Sequence, residues 1–101
     1  MPLRILDEAK RDARIARRRR ESVETRQRLN RELRACYTAI SKSPSSDARH
    51  PDADDPLVRF VLLRSLPYVV LYYDDPAETL VLGVIDARSG PATIAKVLAR
   101  R

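Results

Sequence analysis

The chain has 101 residues, enough for a single domain with one modest core. Its formal net charge is +6 at neutral pH, and its 2 glycines and 1 cysteine exclude a glycine-rich phosphate loop and an internal disulfide framework. The surplus charge lies entirely in the first half: residues 1–50 hold 14 Lys and Arg against 7 Asp and Glu, whereas residues 51–101 hold 6 against 7. Such a basic half favours an acidic partner, either a nucleic acid or an acidic protein segment. No apolar stretch reaches the length of a membrane span, and the N-terminus is too charged for a secretory signal, so the expected compartment is the reducing cytoplasm.

In chain order, residues 3–6 (LRIL) read as a short first strand. Asp7 or Glu8 then stands where a helix begins, because acidic groups favour the positive end of the helix dipole. Ala9, Ala13 and Ala16 recur at spacings of four and three and make a narrow face for close packing. Glu8 and Asp12 are expected to pair with arginines one turn away. Arg17 to Arg20 form a run of four, but four successive helical residues point in four directions and cannot all serve one ligand surface. Residues 21–24 (ESVE) are either a break between two helices, with Ser22 as the cap of the second, or part of one continuous helix. Leu29, Leu33, Cys36, Tyr37 and Ile40 then follow the period of an amphipathic helix, with Arg26, Arg28, Arg31 and Arg34 on its other faces. Residues 8–41 thus predict a helical hairpin. Cys36 falls on its apolar seam and reads as a core residue rather than a nucleophile.

Residues 42–56 (KSPSSDARHPDADDP) predict a polar loop that forbids a packed element. His50 has no second histidine or cysteine beside it, and Asp52, Asp54 and Asp55 lack the glycine and distal glutamate of a calcium loop, so neither metal nor cofactor is implied. Three apolar runs follow, Leu57–Leu63, Tyr68–Tyr73 and Leu80–Ile85, joined by short turns. They predict an antiparallel meander over residues 57–85. Pro67 belongs at the head of its strand, since it has no N–H to give to a ladder. In the first run Arg59 alternates with Val61 and Leu63 on one face, while Val58, Phe60 and Leu62 take the other. LVLGVI (residues 80–85) is apolar throughout, as a central strand covered on both faces should be. The hairpin can cover one face of the sheet, and the lack of an evident cover for the other hints at a partner. Residues 92–99 predict a short terminal helix with Ile94, Val97 and Leu98 on one side. The fold class is α+β.

Several local signatures fall in a recognisable order. Glu8-Ala9-Lys10-Arg11-Asp12 opens the first helix, and Pro44 follows shortly after the second. Val58-Arg59 precedes Pro67-Tyr68 by eight residues, that Pro-Tyr leads an apolar run through Tyr72, and Ile85 to Pro91 (IDARSGP) closes the last strand. In this order and spacing the chain resembles the ParE/RelE superfamily of toxins from bacterial toxin–antitoxin systems, over roughly Leu3 to Pro91. The resemblance implies a short strand and an αα-hairpin packed on a three-stranded meander, and a cognate acidic antitoxin as partner. It also implies one of two activities. RelE-like members cut messenger RNA on the ribosome; ParE-like members bind and poison DNA gyrase without cutting nucleic acid.

The residues discriminate between these activities. RelE-like nucleases carry basic side chains at alternate positions of the first meander strand, where this chain has Phe60 and Leu62. They place an arginine after the tyrosine that opens the next strand, where this chain has Val69, and they use a late tyrosine or histidine, yet neither occurs after Tyr73. Arg88 alone stands at a matching place. RNA cleavage needs an activated hydroxyl, a stabilised phosphorane and a protonated leaving group, and Phe, Leu and Val supply none of these. The expected activity is therefore gyrase binding without catalytic residues, the ribosome-dependent nuclease being the alternative. Nucleic acid would be met only indirectly, through gyrase or the antitoxin. At the place of the His-Gly pair of many ParE-like chains stands Asp86-Ala87. Arg59, Arg64 and Arg88 are candidates for target contact; Arg17, Arg18, Leu33 and Tyr37 are candidates for antitoxin contact.

Overall fold

The computed structural model describes residues 3–101. Seven elements follow one another: β1 (Leu3–Ile5), α1 (Asp7–Arg18), α2 (Val23–Lys42), β2 (Val58–Leu62), β3 (Tyr68–Asp74), β4 (Thr79–Asp86) and α3 (Pro91–Leu98). The α+β class and the element order are those expected from the sequence, with strand ends shifted by a residue. The strands form one sheet in the order β1-β4-β3-β2. β2, β3 and β4 make the antiparallel meander, and β1 adds a parallel edge beside β4, Ile5 lying opposite Val81.

The helical hairpin breaks at residues 19–22 rather than running through. Ser22 is extended and its hydroxyl accepts from the Thr25 N–H at 3.0 Å, a side-chain cap that starts α2 afresh. Ala9, Ala13 and Ala16 are buried, so α1 lies close against the sheet. Leu29, Leu33, Cys36 and Ile40 of α2 join them over Tyr68, Val70, Tyr72, Val81 and Val84 in the larger core cluster. Leu82 is an extra residue in β4, because Leu71 faces Gly83 while Tyr72 faces Val81. This bulge lets Val81 and Val84 share one face although they are three residues apart.

The second face is not left for a partner, as the sequence had suggested. Val97 of α3, fully buried, packs with Val58, Leu71, Tyr73, Leu80 and Leu82, and Ala53, Leu57 and Leu98 are among the side chains set against this smaller cluster. The terminal helix approaches closely because Gly83 has no side chain: a Cβ there would sit 2.7 Å from Val97 Cγ1. Asp12 also departs from expectation. It pairs with Arg100 at 2.7 Å instead of a neighbour one turn away, and the same oxygen accepts from the Val84 N–H at 3.1 Å. Arg100 donates in turn to the Leu82 carbonyl at 3.1 Å. This pair therefore satisfies the edge of β4 where β1 has ended.

The loop before β2 is irregular but anchored. Phe60 N–H donates to Ala48, and His50 N–H donates to Val58, so the loop runs beside the outer edge of β2. Tyr72, fully buried, donates its hydroxyl to Pro44 O at 2.6 Å and lies 2.9 Å from Asp47.

Candidate partner-binding site

Two clefts with apolar floors and charged, mainly basic rims flank α2. The first lies between α1 and α2 and measures about 370 Å³; Ile5, Ala13, Leu33 and Tyr37 form its floor, with Lys10, Arg14, Arg17 and Arg34 around them. It unites three of the residues singled out in the sequence, Arg17, Leu33 and Tyr37. Arg17 is steadied there by a 3.3 Å bond to Asn30 Oδ1. Tyr37 is half-buried, and burial pushes its hydroxyl up to about 12, so it stays a neutral donor at physiological pH. Arg18 does not line this cleft; it is exposed one position further along the helix.

The second cleft, about 460 Å³, lies between α2 and β2 and was not found from the sequence. Ala35, Cys36, Ala39, Val61, Leu62 and Leu63 give it an apolar lining, with Arg31, Glu32 and Arg64 at its rim. Ala35 and Ala39 are four apart on a face of α2 with no long apolar residue, which is why the periodicity hid them. Leu62 is 59% exposed on the edge strand of the sheet. Phe60 N–H points outward to the loop and Leu63 N–H inward to Tyr68, so strand alternation places the main-chain groups of Leu62 on the outer edge. That position lies just past the loop's cover. Cys36 is inert in this lining, since burial pushes its thiol up to about 12.

The three target-contact candidates do not share one surface. Arg59 is inward-facing, its side chain 15% exposed: it pairs with Asp74 at 3.2 Å and donates to Asp47 O at 2.6 Å. It braces the loop on the sheet, so the guanidinium offered in the sequence as a target contact is engaged in an internal ion pair. Arg64 and Arg88 are at the opposite end of the sheet, where Ala87 N–H donates to Pro67 O at 2.8 Å and ties the two turns together. Arg64 is exposed and makes no ion pair among the described residues. Arg88 grips Asp86 through Nε at 3.1 Å and Nη2 at 3.0 Å. These bonds, with the Arg88 main-chain N–H, hold the Asp86 carboxyl down at about 2. The acid at the His-Gly position is therefore the counter-ion of Arg88.

Phe60 and Val69 pack into the smaller core, Phe60 edge-on to His50 with ring centroids 5.2 Å apart. Tyr68 is buried. The clefts thus offer shape, apolar contact and positive charge, while of the positions compared with a nuclease Phe60 and Val69 offer packing and Leu62 an exposed apolar edge.

No protein-family model matches the chain, and no curated protein matches its sequence. Among solved structures it is similar to a chain from the chromosomal ParDE toxin–antitoxin system of P. aeruginosa, with a TM-score of 0.73 over 87% of this chain and 97% of that one. The fold is ParE-like. Sequence identity is 15%, so the likeness lies in the path of the backbone.

Proposed function

We propose that this chain is the toxin of a two-component toxin–antitoxin system and that it acts by binding and inhibiting DNA gyrase. The observation that carries the non-catalytic reading is the chemistry at three positions. Phe60, Leu62 and Val69 stand where a nuclease of this fold would hold cations, and two of them are built into a core. An anionic phosphate beside them would lose water without gaining a donor. Arg88 is the one matching cation, and its guanidinium is already engaged by Asp86.

The neutralising partner on this reading is an acidic, amphipathic antitoxin segment. A helix with apolar residues at successive turns fits the cleft of Leu33 and Tyr37, and acidic side chains beside them would meet Lys10, Arg14, Arg17 and Arg34. An extended stretch fits the open edge at Leu62. A segment disordered before binding can occupy both, because ordering spreads it over a large surface.

The test uses purified chain with purified gyrase. Supercoiling should fall and cleaved DNA should accumulate as toxin is added, and an equimolar acidic antitoxin should restore activity. Unaffected gyrase at a large toxin excess would reject gyrase as target. Transcripts cut on translating ribosomes would replace this mechanism with the nuclease alternative.

A further inference from the structure

The sheet end that carries the 63–67 turn holds a basic corner that meets the second cleft only at Arg64. Arg18, Arg19 and Arg20 leave the end of α1 there, Tyr68 and Asp86 pair in register beside them, and Arg64 stands in the turn between β2 and β3. Arg18, Arg19, Arg20 and Arg64 make no ion pair among the described residues. Arg20 is the most informative of them. Its guanidinium lies over the Tyr68 ring, 5.4 Å from the centroid, and its Nε is buried without a hydrogen-bond partner. Folded proteins rarely keep a buried donor unpaired, and a guanidinium stacked on an aromatic ring keeps its remaining donors in a fixed plane.

The nearby acids do not answer this charge. Asp86 is hydrogen-bonded to Arg88 and feels Arg19 only as a weaker, longer-range attraction, and Glu32 accepts from the Ser65 N–H at 2.9 Å. Glu21 and Glu24 are exposed and are outnumbered by the surrounding arginines, which include Arg26 and Arg28. Arg19, Tyr68 and Asp86 line a shallow cavity of about 220 Å³ together with Asp12, whose carboxylate is held by Arg100 and the Val84 N–H. Of the exposed apolar residues in this region, Ile15 lines that cavity and Val23 does not, so no apolar groove joins them.

We propose that this corner binds the phosphate backbone of a nucleic acid, with Arg20 as the preoriented donor and Arg19 and Arg64 flanking it. The two clefts have the apolar anchors that a peptide partner requires; the corner presents several arginines without ion-pair partners among the described residues, which is what a backbone of phosphates requires. Arginine presents paired donors that match phosphate oxygens. The inference is independent of gyrase being the target.

The experiment is fluorescence anisotropy of a short labelled DNA duplex titrated with the full chain over a range of salt concentrations. The Arg19→Ala/Arg20→Ala variant should bind about tenfold more weakly at low salt, and its log–log salt slope should fall by about two, roughly one per lost phosphate contact. Arg11→Ala/Arg49→Ala, the same charge change at two exposed sites away from the corner, should keep the wild-type slope. Equal losses in both variants would reduce the effect to net charge and overturn the proposal. Capture of polyglutamate through the corner with no duplex binding would overturn it in favour of an acidic protein. A milder variant, Arg20→Gln, separates binding from folding. It should weaken duplex binding while its melting midpoint holds or rises, because a buried Nε–H without a hydrogen-bond partner has been removed. A lowered midpoint with unchanged duplex binding would make Arg20 a packing residue and end the proposal.

Discussion

The two faces of the sheet are held by different physics. One carries two helices whose buried side chains interlock with Tyr72, Val70 and Val84 in a continuous apolar cluster. The other carries the eight-residue α3, with Val97 as its only buried side chain, and polar groups hold its end. Arg100 reaches Asp12 across the rim of β4; Arg101 lies 3.8 Å over the Tyr73 ring and 3.2 Å from Asp55. A face secured by burial resists local opening, whereas a face secured by a few polar contacts and one close approach can open without the rest.

The largest effect should come from the first face. Leu29→Ala leaves a void in a fully buried site and should cost about 2–5 kcal/mol, read as a lower urea midpoint for the whole chain. Gly83→Ala probes the second face. The added carbon would meet Val97 Cγ1 at 2.7 Å and Arg100 and Asp12 at 3.0 Å, so about 1–3 kcal/mol should be lost. Hydrogen exchange should then rise in α3 while α2 stays protected; equal loss in both would erase the contrast between the faces. Arg101→Ala removes a stacked cation and should cost about 0.5–1 kcal/mol, again seen first in α3.

The smallest effect is confined to the turn after β4. Asp86 titrates near 2, below its ordinary value of 3.8, so it is the ionised form that the fold favours. Its contribution is complete above about pH 4 and fades as the pH falls towards 2. A carboxyl chemical-shift titration should place the midpoint near 2, and Arg88→Ala should move it up towards 4. An unchanged midpoint in that variant would show that Arg88 is not the partner that matters.

The contrast between the faces also separates what the sequence revealed from what it hid. Leu29, Leu33, Cys36 and Ile40 print a helical period over several turns, and the alanines of α1 print the shorter spacing of a close-packed face. Strand alternation and Pro67 marked the meander equally well. The parallel pairing of β1 with β4 left no such trace, since three residues carry little pattern. The cover of the second face was hidden for a related reason: it rests on one valine, one missing side chain at Gly83 and an ion pair between Asp12 and Arg100, 88 positions apart. Short-range charge rules assign Asp12 to nearby arginines and cannot see that distance. At the site, Arg17, Leu33 and Tyr37 were legible because they share a helix-hairpin surface. Ala35, Ala39 and Leu62 were not, because small residues and a lone leucine acquire meaning only when α2 and β2 lie side by side. The partners of Arg59 were not legible either, because Asp74 and the loop carbonyl of Asp47 stand 15 and 12 positions away.

The loop strapped along β2 has a consequence for the chain when it is alone. An uncovered border strand invites copies of itself to add on, one after another, into fibres. Here Ala48 and His50 already occupy the main-chain groups of Phe60 and Val58, and Arg59 and Tyr72 rivet the strap down. What stays open near Leu62 is too short a stretch to template such growth, so the isolated chain is guarded against polymerising with its own kind.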